Sequence, residues 1–124
     1  MTKPKIGFIG LGLMGAAMVS RLQDLQYPVT VCANKSRPRI DAAVARGAIE
    51  VMTARRVAEH SDIIMLCMDT SASVESRIRG SEGLISGLKP KSVVIDFGTS
   101  LPNSTRALGA EIAASGGFYL DAPL

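Results

Sequence analysis

The sequence predicts a doubly wound α/β domain, a parallel sheet with helices covering both faces. Three observations carry that reading. Short apolar runs alternate with longer amphipathic stretches along all 124 residues. The runs are apolar at nearly every position, not at alternate ones, as strands buried on both faces require. A glycine-rich turn, Gly10-Leu11-Gly12-Leu13-Met14-Gly15, closes the first run and opens the first amphipathic stretch.

Residues 6–9 form the first strand. Residues 14–25 follow as a helix, with Met14, Met18, Leu22 and Leu25 recurring along one face. A strand at 29–33 leads into a helix at 39–46, which Gly47 ends as a left-handed cap. Residues 49–51 make a short strand, 54–60 a helix, and 62–68 an almost unbroken apolar strand. A helix over 70–79 and a Lys89-Pro90-Lys91 turn precede the strand at 92–95. The helix at 103–114 stops at Gly116-Gly117, and 118–120 is the last strand. Six strands with helical connections imply right-handed crossovers. They place a ligand beyond the carboxyl ends of the strands, where the strand order switches. No repeat, linker or low-complexity segment divides the chain, so residues 1–124 read as one domain.

Composition sets the outer bounds. Apolar residues make up 47% and charged residues 20%, ordinary for a soluble globular protein. The net charge of +3 and the aromatic share of 4% do not suit a nucleic-acid binder. The positive charge is uneven: nine Lys/Arg against five Asp/Glu up to Asp62, then five against six. It therefore lies with whatever the first half binds. Cys32 and Cys67 fall in strand-like runs and read as reduced core residues of a cytoplasmic protein. Without nearby histidine they make no zinc site, so no metal is expected, and His60 reads as surface. Lys3 and Lys5 before an apolar stretch resemble a signal peptide. The three glycines inside that stretch, and the lack of a cleavage-like segment before Arg21, argue against it. No run is long enough to span a membrane.

The glycine turn points to a ligand with a pyrophosphate. Gly10 permits the tight turn, Gly12 lets backbone N–H groups approach phosphate, and Gly15 lets helix and strand pack closely. The helix N-terminus adds unpaired donors and its positive dipole end. Sites for NAD usually place an acid at the end of the second strand, on the ribose hydroxyls. Here that position is Asn34, followed by Lys35, Ser36 and Arg37, with the next acid at Asp41. Asn34 removes the repulsion toward a 2′-phosphate, Lys35 and Arg37 can pair with it, and Ser36 can donate a hydroxyl. Hydrogen bonds to a charged group contribute roughly 1.5–3 kcal/mol each, so two shift preference by about two orders of magnitude. The expected cofactor is NADP(H), ahead of NAD(H).

Three motifs together resemble the β-hydroxyacid dehydrogenases, the family of 3-hydroxyisobutyrate dehydrogenase and, more distantly, 6-phosphogluconate dehydrogenase. They are the glycine motif with Met18 after it, Asp96-Phe97-Gly98-Thr99 with Pro102 following, and Leu120-Asp121-Ala122-Pro123. They arrive in the family's order and spacing over essentially the whole chain. The resemblance implies a Rossmann-type domain followed by an all-helical second domain. It implies a homo-oligomeric oxidoreductase that passes hydride between nicotinamide and a small β-hydroxyacid or its semialdehyde.

The resemblance also assigns roles. Leu11, Gly12, Leu13 and Met14 would line the pyrophosphate and nicotinamide, with Gly10 and Gly15 shaping the cofactor-binding turn around them. Asn34, Lys35 and Ser36 match the Asn-Arg-Thr turn of NADP-preferring members. Met68 and Asp69 fall where the family has Leu-Pro against the cofactor, and Thr99 falls near nicotinamide and substrate. The departures are Lys35 for Arg, Asp69 for Pro, Gly98 for the first Ser of a Ser-Thr pair, and Arg21 for Asn. None of the five lysines matches the family's catalytic lysine, which lies on the second domain. The chain thus reads as an N-terminal part holding no catalytic residue, inactive alone, with its domain incomplete at the C-terminal end. An edge exposed at 118–120 is expected to drive self-association.

Three other readings stand beside this one. Imine reductases share the glycine motif and the basic turn, but tend to have Asp-Gly where this chain has Asp121-Ala122. A lone module could sense NADP(H) without catalysis. A methyltransferase using S-adenosylmethionine usually needs an acid where Asn34 stands.

Overall fold

The computed structural model describes residues 3–33, 36–98 and 102–122. In chain order the elements are β1 (Ile6–Ile9), α1 (Leu13–Asp24), β2 (Val29–Cys32), α2 (Pro38–Ala45), β3 (Ile49–Val51) and α3 (Ala54–Glu59). There follow β4 (Ile63–Leu66), α4 (Ser71–Ile78), α5 (Leu84–Gly87), β5 (Val93–Asp96), α6 (Pro102–Ala114) and β6 (Phe118–Asp121). The six strands form one sheet in the order β3-β2-β1-β4-β5-β6. Every pairing is parallel, with Ile6 opposite Val29 on one side and Ile63 on the other. The chain steps outward from β1 to β3, then returns to lay β4 on the opposite side of β1. The switch in strand order therefore falls between β1 and β4.

Alternation along the strands sorts the core into two clusters. Ile6, Phe8, Val29 and Val31 point to the face covered by α1 and α2, where they meet Val19, Ile40 and Ala43. Ile9, Ile64, Leu66 and Val94 point to the other face and meet Val57, Ile78, Leu84, Leu108 and Ile112. The central strands β1 and β2 are buried at every position because both of their faces are filled. The element the sequence reading missed is α5. At four residues it is too short to show a helical period, and it is held instead by Leu84, which is fully buried.

The buried stripe of α1 differs from the expected one. Gly15 and Val19 are the buried residues, with Met18 and Leu22 packed beside them. Met14 and Leu25 are 53% and 43% exposed. Contact between Gly15 and the preceding turn sets the helix rotation, which swings Met14 outward. The Gly47 cap is as expected, with φ of +104° just past α2.

The face under α1 and α2 is filled only on one half of the sheet. On that face Ile63, Met65, Val93 and Ile95 are half-buried, and Phe118 and Leu120 are 59% and 54% exposed. The exposed apolar surface thus lies on a sheet face as well as along the β6 edge. Such contiguous surface favours association. Light scattering at high concentration is expected to show self-association, reduced by Phe118→Asp. A monodisperse monomer before substitution would count against this.

Candidate functional site

The site forms where β1 ends. Gly10 has φ of +101°, a conformation that strains any residue with a Cβ, and a side chain there would overlap the Cys67 carbonyl. Gly12 caps α1 in extended conformation with no side-chain hydrogen bond, and no acid lies in the first turn. The opening N–H groups of α1 therefore keep no intrahelical partner and face outward. A Cβ built on Gly15 would overlap the Gly10 carbonyl oxygen, so helix and turn touch backbone to backbone. Among the described residues, a Cβ on Gly12 would meet nothing within 4 Å. The described residues thus leave the space over Gly12 open, beside unpaired donors and a positive helix end. These features fit an anionic phosphate.

An open cleft extends from this turn. Of the residues singled out from the sequence, Gly10, Leu11, Gly12, Ser36, Met68 and Asp69 line it together. Leu13 and Met14, 76% and 53% exposed, stand in the first turn of α1. Asn34, Lys35 and Thr99 lie outside the described residues.

Arg37, singled out from the sequence as a phosphate partner, is not among the residues lining this cleft and is engaged elsewhere. Its Nη1 donates to Glu50 Oε2 at 2.6 Å, and its Nη2 donates to Glu50 Oε1 at 2.9 Å and Asp41 Oδ1 at 3.0 Å. The Glu50 hydrogen bonds hold the guanidinium pKa above its ordinary value and hold the Glu50 carboxyl below its own. Arg37 begins α2 and reaches back to β3, so its charge is already met by two carboxylates.

Three lining residues were not found from sequence: Arg39, Cys67 and Ser73. Arg39, in the first turn of α2, lines the cleft and makes no ion pair among the described residues. Its signal was Pro38, which opens α2 and puts Arg37 and Arg39 on different sides of its start. Cys67 follows β4 and is half-buried against the cleft, unlike the buried Cys32. Burial pushes its thiol pKa up, and the nearby Asp69 and Asp96 carboxylates push it the same way.

The end of β5 carries a buried carboxylate. Asp96 is fully buried, accepts the Gly98 N–H at 2.9 Å and accepts the Tyr119 hydroxyl at 3.0 Å. Burial, then the charge of Asp96, raises the Tyr119 hydroxyl pKa, which keeps it a donor. A Cβ on Gly98 would come within 2.6 Å of the Met68 carbonyl oxygen. That close approach accounts for glycine in place of the serine expected there. Among the described residues no cluster could hold a metal ion, and no helix is long and apolar enough to cross a membrane.

A parallel sheet switching order beside a glycine-lined helix N-terminus, with an open cleft over it, defines a dinucleotide-binding domain. The family model of the NAD binding domain of 6-phosphogluconate dehydrogenase matches residues 5–124, and the chain belongs to that family. A 3-hydroxyisobutyrate dehydrogenase-like protein of Arabidopsis thaliana is 35% identical over 99% of this chain and 41% of its own length. The human cytokine-like nuclear factor N-PAC is 32% identical over 99% of this chain and 22% of its own. Among solved structures, Psf3 in complex with NADP+ and 2-OPP superposes with a TM-score of 0.83. It is 31% identical, over 92% of this chain and 40% of that one. An imine reductase from Pseudomonas sp. gives a TM-score of 0.81 at 26% identity, over 98% and 41%. The chain thus spans about two fifths of the dehydrogenase-like relative.

Proposed function

We propose that this chain is the cofactor-binding part of an NADP(H)-dependent oxidoreductase acting on a small β-hydroxyacid or its semialdehyde. The observation that carries the cofactor choice is Arg39, which lines one cleft with Gly10, Gly12 and Ser36. An arginine there offers a 2′-phosphate paired donors, and Ser36 adds a hydroxyl. The substrate class rests on the dehydrogenase-like relative and on Asp121-Ala122-Pro123. The nicotinamide supplies the hydride chemistry when bound. The residues of this chain do the holding. The first turn of α1 receives the pyrophosphate, Arg39 and Ser36 fix the adenosine end, and the loops after β4 and β5 border the nicotinamide end. Likeness to an imine reductase favours C=N reduction as the second reading.

Titration with NADPH and NADH by nicotinamide fluorescence tests the cofactor. NADPH is expected to bind at least about tenfold more tightly, the effect of one charged hydrogen bond. Equal or tighter NADH binding overturns the NADP assignment, and binding of neither overturns the cofactor role.

A further inference from the structure

We propose that Asp69 makes this cleft bind oxidised nicotinamide cofactor more tightly than reduced, biasing the site toward hydride donation. This rests on the cofactor reading above. The topology fixes which half of a dinucleotide Asp69 meets. The segment after β2 carries Ser36 and Arg39, the Gly10–Gly12 turn lies over β1, and Met68-Asp69 follows β4 on the other side of β1. A dinucleotide laid across the switch with its adenosine on the β2 side places its nicotinamide on the β4–β5 side. The cleft therefore carries opposite charges from the two sides of β1, Arg39 from the segment after β2 and Asp69 from the segment after β4.

Asp69 is exposed within the cleft lining and makes no ion pair among the described residues. Asp96 is buried, and after burial itself the charges of Asp69 and Asp96 both raise the pKa of the Cys67 thiol. Asp96 is satisfied by Gly98 and Tyr119, which leaves Asp69 as the carboxylate that can face a ligand. The oxidised nicotinamide ring carries a formal positive charge and the reduced ring carries none. A neighbouring carboxylate attracts the first and is indifferent to the second. Its repulsion of the cofactor's phosphates is the same for both forms and cancels from their ratio.

The test is the ratio of dissociation constants for NADPH and NADP+, measured on the protein and on Asp69→Asn at low ionic strength. The substitution is expected to lower that ratio about fivefold, as for two unit charges several ångströms apart in a partly wet site. The loss should appear in NADP+ binding. Asp69→Glu should retain the preference, and high salt should shrink it. A ratio unmoved by Asp69→Asn, or equal changes in both forms, overturns the proposal while leaving the cofactor reading intact. If the protein binds neither nucleotide, both fail together.

Discussion

Gly15→Val is expected to weaken NADPH binding at least about a hundredfold and to cost about 3 kcal/mol of stability or more, the range for steric conflict with backbone. A Cβ at this position overlaps the Gly10 carbonyl oxygen and comes within 3.1 Å of Phe8 Cε1. The first neighbour is backbone and the second is a fully buried ring, so neither can turn aside. Helix α1 must lift from β1, and its opening N–H groups move with it. Thermal unfolding and nicotinamide fluorescence read the two losses separately. Gly12→Ala provides the contrast. None of the described residues lies within 4 Å of its new methyl group, and alanine tolerates the extended backbone there, with φ of −73°. It should unfold within a few degrees of the unsubstituted chain, yet bind NADPH at least about tenfold more weakly, because the methyl group occupies the space meant for phosphate. Unchanged binding in both variants would show that the cleft over this turn is not the cofactor site.

The contrast between those two glycines marks what the sequence makes legible. The glycine spacing, read with the strand before it and the helix after it, located the turn and the donors. Five helices and six strands follow from periodicity, because each is long enough, or apolar enough, to show one. The short α5 shows neither and depends on what Leu84 packs against. Side-chain direction at the strand-to-helix turn is the other limit. Arg37 and Arg39 are two residues apart in one basic segment, and composition treats them alike. What separates them is register. Pairing of Thr30 with Ile49 and Val31 with Glu50 brings the Glu50 carboxylate to the start of α2, and no local pattern states that pairing. The uncovered sheet face has the same origin. Val93 and Ile95 read as buried strand residues, and only the strand order shows that they lie beyond the cluster under α1 and α2.

Substituting the two arginines separately should therefore give opposite results. Arg39→Ala is expected to weaken NADPH binding by about thirtyfold while leaving NADH nearly unchanged, the loss of one charged hydrogen bond or two to the 2′-phosphate. The difference arises because NADH has no group at that position for Arg39 to hold. Arg37→Ala should change NADPH affinity by no more than about threefold, since its guanidinium already faces Glu50 and Asp41, and exposed pairs of this kind contribute little. Glu50→Gln separates the remaining possibility. It weakens the hold on Arg37, and a marked gain in NADPH affinity would mean that Arg37 reaches the phosphate once released. No gain places the selection on Arg39, with Arg37 tying α2 to β3. If Arg37→Ala proves the more damaging of the two, the basic turn rearranges on binding, and the ion pair with Glu50 is then a contact that the cofactor must break.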